Sequence, residues 1–243
     1  MKLIKLSATL STNSYLKDMI KAGLAESNTL VLAEDQTQGR GQHGNHWYSK
    51  ASESLTFSLY RPFKQHPEVY EFMPAMVVAT AIKKQLDALK IPAVSIKWPN
   101  DIMSYNKKIG GILIENIWSE GKPLHRVIGI GLNVNNAELP GLPSASSLKI
   151  LTEKSFDLEE LAMRIAGQIV QDFEDFRVVD QQRWYKEYLT ALYRKDQVAT
   201  FSINDQETFP AIVKGVTPDG KLQLETEDEQ LLSFGLKEVK MHY

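Results

Sequence analysis

The residues best able to do chemistry fall in two clusters. The first lies in "KWPNDIMSYNKKIGGILIE", residues 97–115. Lys97, Asn100 and Asp101 crowd the end of one apolar run, and Lys107 and Lys108 open the next. A hairpin-like fold of this segment would bring Lys97, Asp101 and Lys108 together. Open sheets place ligands at strand ends in this way. Each piece also has a plainer reading. "PND" is a good type I turn, and lysines are at home in water.

The second cluster is "GRGQHGNHW", residues 39–47, with glycines spaced G-x-G-x-x-G. A dinucleotide-binding turn needs a helix directly after the third glycine, to receive the pyrophosphate. Here "NHWYSKASESLTFSLY" follows, a loop and then a strand, so that reading fails. A protein-kinase reading has "VSIK" at 94–97 in its favour but lacks H-R-D and D-F-G. No G-x-x-x-x-G-K-[ST] occurs. What remains is a glycine loop carrying Arg40, Gln42, His43, Asn45, His46 and Trp47. Arg40 can fork onto phosphate or carboxylate, and Trp47 offers a flat apolar face. The alternative is a surface loop whose Trp47 tucks into the core.

These clusters need elements to hold them. "STNSYLKDMIKAG" reads as a helix entered at Ser11, Thr12 or Asn13 and ended by Gly23. Strands are expected at 29–34, 54–60, 94–99, 110–118 and 125–134, with "SEGKP" turning between the last two. Residues 68–90 read as one long helix in which Pro74 marks a late start or a kink. "SFDLEELAMRI" begins another helix with a capping box of Asp157 and Glu160, and helical patterning continues to about Tyr193. From Gln197 onward the pattern is short strands and turns, with "TPDGK" at 217–221 a hairpin turn. The boundary near 191–196 divides the chain into 1–192 and 193–243, the second part a small antiparallel barrel.

The 243 residues are 43% apolar and 24% charged, which supports a real core and excludes global disorder. A net charge of −2 argues against a general nucleic-acid binder. With no cysteine, disulfides, thiol nucleophiles and Cys-ligated zinc are all excluded. The N-terminus lacks the apolar run of a signal peptide, and the longest apolar stretch, 73–82, is too short to span a bilayer. The expectation is a soluble cytoplasmic protein without membrane contact.

Taken in order, "STN" at 11–13, Gln36 followed by "GRG", "KWPND", the Lys108–Gly111–Ile112–Leu113 "KxxGIL" and "GIGLNVN" at 129–135 resemble the biotin protein ligases. The likeness runs by motif from residue 11 to about 148. It implies an α/β (α+β) catalytic domain with a mixed sheet and a small SH3-like C-terminal barrel. It further implies that biotin reacts with ATP and Mg²⁺ to give biotinyl-5′-AMP and pyrophosphate. The biotinyl group then passes to a lysine of a biotin carboxyl carrier protein. By the same resemblance Lys108, Arg40 and Asp101 are catalytic. Ser11, Thr12, Asn13, Gln36, Arg40, Gly41, Gln42, Lys108, Gly111 and Leu113 hold biotin. Arg40, Trp47, Lys97, Asn100 and Asn133 hold the nucleotide, with Trp47 on the adenine. The metal ligands stay unassigned, and Ser11 and Thr12 can equally be helix caps. Some relatives dimerise through a sheet edge, so a homodimer stays open.

Two departures stand out. Ligases of this family usually read "GRGR", where this chain has Gln42; the loop should grip the adenylate less firmly. The catalytic motifs begin at residue 11, which leaves no room for the DNA-binding domain of the repressor-type members; a ligase-only protein that binds no DNA is expected. The rivals are a lipoate or octanoate ligase of the same fold and a non-catalytic biotin- or nucleotide-binding relative. The retained Arg40 and Lys108 argue against the latter.

Overall fold

The structure, a computed structural model, describes residues 1–62, 69–120, 122–203 and 208–242. Seven strands form the main sheet: β1 (Lys2–Thr9), β2 (Thr29–Gln36), β3 (Ser54–Pro62), β4 (Val94–Lys97), β5 (Asp101–Ser104), β6 (Lys107–Ser119) and β7 (Lys122–Asn133). Their order is β1-β2-β3-β7-β6-β5-β4. β1 and β2 are parallel, and the other neighbours are antiparallel. A parallel pair needs a crossover, which the helix α1 (Thr12–Lys21) provides.

Side-chain alternation sorts the two faces of this sheet. Leu30, Leu32, Leu55, Phe57, Leu59, Ile128 and Ile130 point into the large core. That core is covered by α2 (Met73–Ala88), α4 (Leu158–Asp175) and α5 (Gln181–Thr190); the short α3 (Leu148–Thr152) contributes its buried Leu148. Each large aliphatic chain buried in this way contributes about 1.5–3 kcal/mol. Val31, Tyr60 and Val127 point the other way, against Leu16 and Ile20 of α1. The second face is covered by one helix alone, and the uncovered part is where the functional residues gather.

A smaller antiparallel sheet follows: β8 (Val198–Ser202), β9 (Thr208–Val216), β10 (Leu222–Glu225), β11 (Leu231–Phe234) and β12 (Lys240–His242), in the order β11-β10-β9-β8-β12. It fits the SH3-like barrel expected at this end. Phe201, Val213 and Leu224 join the main core. Trp98 Nε1 donates to Gly220 O at 2.8 Å, and the backbone after α5 pairs with Ile96 of β4. The small sheet is thereby fixed beside the β4–β5 turn. Among the described residues no helix is long and apolar enough to cross a membrane.

Several expectations change. α2 starts at Met73, so Pro74 sits in its first turn, where a missing N–H costs nothing. Residue 68, the expected start, lies outside the described residues, as does residue 121 of the "SEGKP" turn. The helical stretch from 158 to 193 is broken. Phe176 is extended (φ −61°, ψ 127°) and a one-turn 3-10 helix, Val178–Asp180, precedes α5. β1 and β5 were not expected as strands. β1 lies at the sheet edge, and β5 is only four residues long. Of the Asp157/Glu160 capping box one half is present: Asp157 accepts from Glu160 N at 2.8 Å.

Candidate functional site

The strand register brings distant residues into rows on the α1 face. One row runs Lys97, Asp101, Gly111, Gly131, Thr56, Ala33 across β4, β5, β6, β7, β3 and β2. The next runs Leu113, Gly129, Ser58, Val31. Two glycines in these rows carve a trough. A Cβ on Gly131 would stand 2.4 Å from Cε2 of Trp47, and one on Gly129 would stand 2.4 Å from Oδ1 of Asn13. The indole and the amide therefore lie where β7 side chains would otherwise be.

Lys108 reaches this face through an irregularity. Asp101 opposes Gly111 and Ile102 opposes Gly110, but Met103 opposes Lys108, so Ile109 is an extra residue on β6. Strict alternation from Gly111 would send Lys108 to the opposite face. The bulge re-aims it, a known use of bulges beside functional sites. Lys108 Nζ then lies 2.6 Å from Asp101 Oδ1, and Lys97 Nζ lies 3.5 Å from Oδ2. Lys108 Nζ is also 5.7 Å from the centre of the Trp47 ring. The expected meeting of Lys97, Asp101 and Lys108 is thus present. Asn100 is tied to β6 in both directions: its Nδ2 donates to Ile112 O at 2.8 Å, and Ile112 N donates to its backbone O at 3.0 Å.

The other end of the trough is a buried polar chain. Gln36 Oε1 accepts from Thr12 N and Thr12 Oγ1, at 2.9 and 3.1 Å. Ser58 Oγ lies 2.7 Å from Thr12 Oγ1 and 2.5 Å from Asn13 Oδ1. Asn13 Nδ2 donates to Leu113 O at 3.3 Å and to Glu115 Oε2 at 2.8 Å. Ser11 occupies the N-cap position of α1, yet its buried hydroxyl makes no capping bond. It is thus free to serve a ligand.

The glycine loop closes over this trough as a miniature hairpin. Gly41 N donates to Asn45 O at 2.7 Å and Trp47 N to Gly39 O at 2.9 Å, with a one-turn 3-10 helix, Gln42–Gly44, at the tip. Trp47 Nε1 is buried and has no hydrogen-bond partner among the described residues. The Arg40 guanidinium donates to Ser14 Oγ at 2.9 Å and to Glu115 at 3.4 Å. Among the described residues no ion pair joins it to the lysines and Asp101.

Together these parts line one cavity of about 740 Å³, within the usual range for a small-molecule site. Ser11, Thr12, Asn13, Gln36, Arg40, Gly41, Gln42, Trp47, Lys97, Asn100, Asp101, Lys108, Gly111 and Leu113 all line it. Asn133 does not. It is buried and donates to Ser146 O at 3.1 Å, holding the end of β7 to the next loop. Sequence reasoning missed Gly129 and Gly131 as floor residues, although "GIGLNVN" had been marked. It also missed the far wall, where Ser202, Lys240 and Met241 of the small sheet and Lys237 of the β11–β12 turn line the cavity. Among the described residues no three His, Cys, Asp or Glu side chains converge on a metal position. Asp101, the carboxylate among the described cavity-lining residues, is already held by two lysines.

Comparison with known proteins places this geometry. A model of the biotin/lipoate A/B protein ligase family matches residues 6–133. The bifunctional ligase/repressor BirA of Escherichia coli is 27% identical over 221 residues, covering 89% of this chain and 67% of that protein. The biotin–[acetyl-CoA-carboxylase] ligase of Mycobacterium tuberculosis is 28% identical over 162 residues, covering 65% of this chain and 59% of that one. The biotin protein ligase from Aquifex aeolicus, solved in complex with biotin and ATP, matches with a TM-score of 0.80 at 23% identity, covering 99% of this chain and 98% of that chain. At that identity the structural match speaks for the fold.

Proposed function

Because the chain belongs to the biotin/lipoate A/B protein ligase family, we propose that its cavity makes biotinyl-5′-AMP from biotin and ATP and passes the biotinyl group to a carrier lysine. The observation that carries this reading is Lys108, set by a bulge beside Asp101 and over Trp47 in the cavity wall. In the first step a biotin carboxylate oxygen attacks the α-phosphorus of ATP. The bond from that phosphorus to the bridging oxygen breaks, and pyrophosphate leaves. Both reactants are anions, so their approach needs fixed positive charge. Lys108 supplies it at the carboxylate, and Lys97 supplies more at the nucleotide. Asp101 holds both ammonium groups in place and so removes the reorganisation a free lysine would need. In the second step the carrier amine attacks the acyl carbon, AMP leaves with the bonding pair, and the amine sheds a proton. Magnesium would arrive with the nucleotide phosphates.

The buried chain Gln36–Thr12–Ser58–Asn13 favours biotin over lipoate. A ureido ring can exchange hydrogen bonds with the polar side chains of Ser11 and Gln36 in the cavity wall, whereas a dithiolane ring has nothing to exchange with them. The acceptor is a biotin carboxyl carrier domain, and the reading places the protein in the cytoplasm with its ATP supply. Residues 1–192 act as the catalytic unit and 193–243 as the appended barrel. The test is pyrophosphate release with ATP and either free biotin or free lipoate. Release with biotin alone is expected; release with lipoate alone would overturn the assignment.

A further inference from the structure

Glu115 on β6 has no part in the reaction just described, yet its carboxylate joins three elements. Oε2 accepts from Asn13 Nδ2 at 2.8 Å and from Arg40 Nη2 at 3.4 Å, and Oε1 accepts from Lys17 Nζ at 2.5 Å. Burial pushes this carboxyl up, but hydrogen bonds from Lys17 and Asn13, with the charges of Lys17 and Arg40, outweigh it and hold the group below its ordinary value. It is therefore ionised at neutral pH. The Glu115 side chain is 22% exposed and that of Arg40 is 45% exposed. A half-exposed arginine on a glycine loop is placed only by what it bonds to, here Glu115 and Ser14. On its other side Glu115 fixes the amide of Asn13, which lies under Gly129 at the pocket floor.

We infer that Glu115 is a positioning residue that latches the glycine loop over the cavity through Arg40 and, with the same carboxylate, orients Asn13 in the floor. Loop and floor are then set by one group, and a product held between them is retained for as long as the latch is closed. A glutamine at this place could still accept from Asn13 but would have no charge for Arg40 or Lys17. An aspartate would keep the charge at shorter reach.

The latch is read in the ligand-free protein from hydrogen exchange at the Gly41 and Trp47 amides, whose bonds close the loop. Glu115→Gln and Arg40→Met are each expected to speed this exchange about two- to fivefold, the range for a partly exposed ion pair. The double variant should exchange no faster than either, and Glu115→Asp should recover part of the protection. Unchanged exchange in Glu115→Gln, or factors that multiply in the double variant, would overturn the latch. If Glu115→Gln does not fold, Arg40→Met with and without Glu115→Asp carries the same test. A second arm rests on the ligase reading: with biotin and ATP, Glu115→Gln should release biotinyl-AMP faster by a similar factor. If the exchange results hold while the unmodified protein forms no adenylate, the ligase reading fails and the latch stands.

Discussion

Two carboxylates, Asp101 in the cavity wall and Glu115 behind the glycine loop, use the same arrangement, each between two cations. Asp101 sits 2.6 Å from Lys108 and 3.5 Å from Lys97; Glu115 sits 2.5 Å from Lys17 and 3.4 Å from Arg40. The difference is in what carries them. Lys97, Asp101 and Lys108 lie on three successive strands, fixed by the ladder and one bulge. Glu115 draws its partners from a helix and a loop, 98 and 75 residues away in sequence. A strand-borne triad is rigid before any ligand arrives, which is what charge stabilisation of a reaction needs. A loop-borne pair can open and close, which is what holding and releasing a product needs. Chemistry should fail when the first is cut, and retention should fail when the second is cut.

The largest effect should follow Lys108→Ala. Removing the cation at the reacting carboxylate should lower the rate of adenylation by about 10²–10³-fold, the usual range for loss of one fixed electrostatic contact. Pyrophosphate release with biotin and ATP measures it. Undiminished turnover would show that the triad is only structural, and the comparison would collapse.

Next comes Gly129→Ala, which attacks the pocket floor. Its new Cβ would lie 2.4 Å from Asn13 Oδ1. Asn13 must swing away, disturbing both Ser58 and Glu115. Overpacking of this kind costs about 1–3 kcal/mol of stability, and biotin affinity should fall about tenfold or more. Calorimetric titration with biotin checks it; wild-type affinity would mean that Asn13 does not belong to the biotin pocket.

The same contrast explains what was legible in the sequence. Lys97, Asp101 and Lys108 lie close in the chain, so a local hairpin argument brings them together. Even there the bulge at Ile109 was invisible, since no residue type announces it, and without it Lys108 would face the wrong way. The Glu115 cluster was not legible at all. Its bonds depend on how α1, the loop and β6 stack, a tertiary fact that no local pattern encodes. β1 was missed although its residues alternate apolar and polar; as an edge strand it has no fully buried position, and the alternation was read only against a signal peptide. Asn133, assigned to the nucleotide through its motif, donates its amide N–H to Ser146 O, a contact that the motif does not announce.

A smaller effect is expected at the loop tip. Gln42 lines the cavity within the one-turn helix of the loop, where the family resemblance would place an arginine. Gln42→Arg adds a charge facing the adenylate phosphate, worth about 1 kcal/mol on a partly exposed loop. Release of biotinyl-AMP should therefore slow about fivefold, with the Lys108 chemistry unaffected. Equal or faster release would mean that Gln42 does not face the phosphate.

The smallest prediction tests the charge of Glu115 by pH. The pKa of Glu115 is lowered from its ordinary value of 4.5. A depressed carboxyl adds stability that is present above its unfolded value and lost as the pH falls through its folded value. The contribution of Glu115 should thus be full at pH 7 and should fade only below about pH 4.5. Glu115→Gln cannot titrate, so the gap in melting temperature between it and the unmodified protein should be widest at neutral pH and shrink in acid. A pair worth about 1 kcal/mol moves the midpoint of a chain this size by about 2–4 °C. A gap that stays constant from pH 7 to pH 3 would mean that the shape of Glu115, and not its charge, holds the loop to the floor.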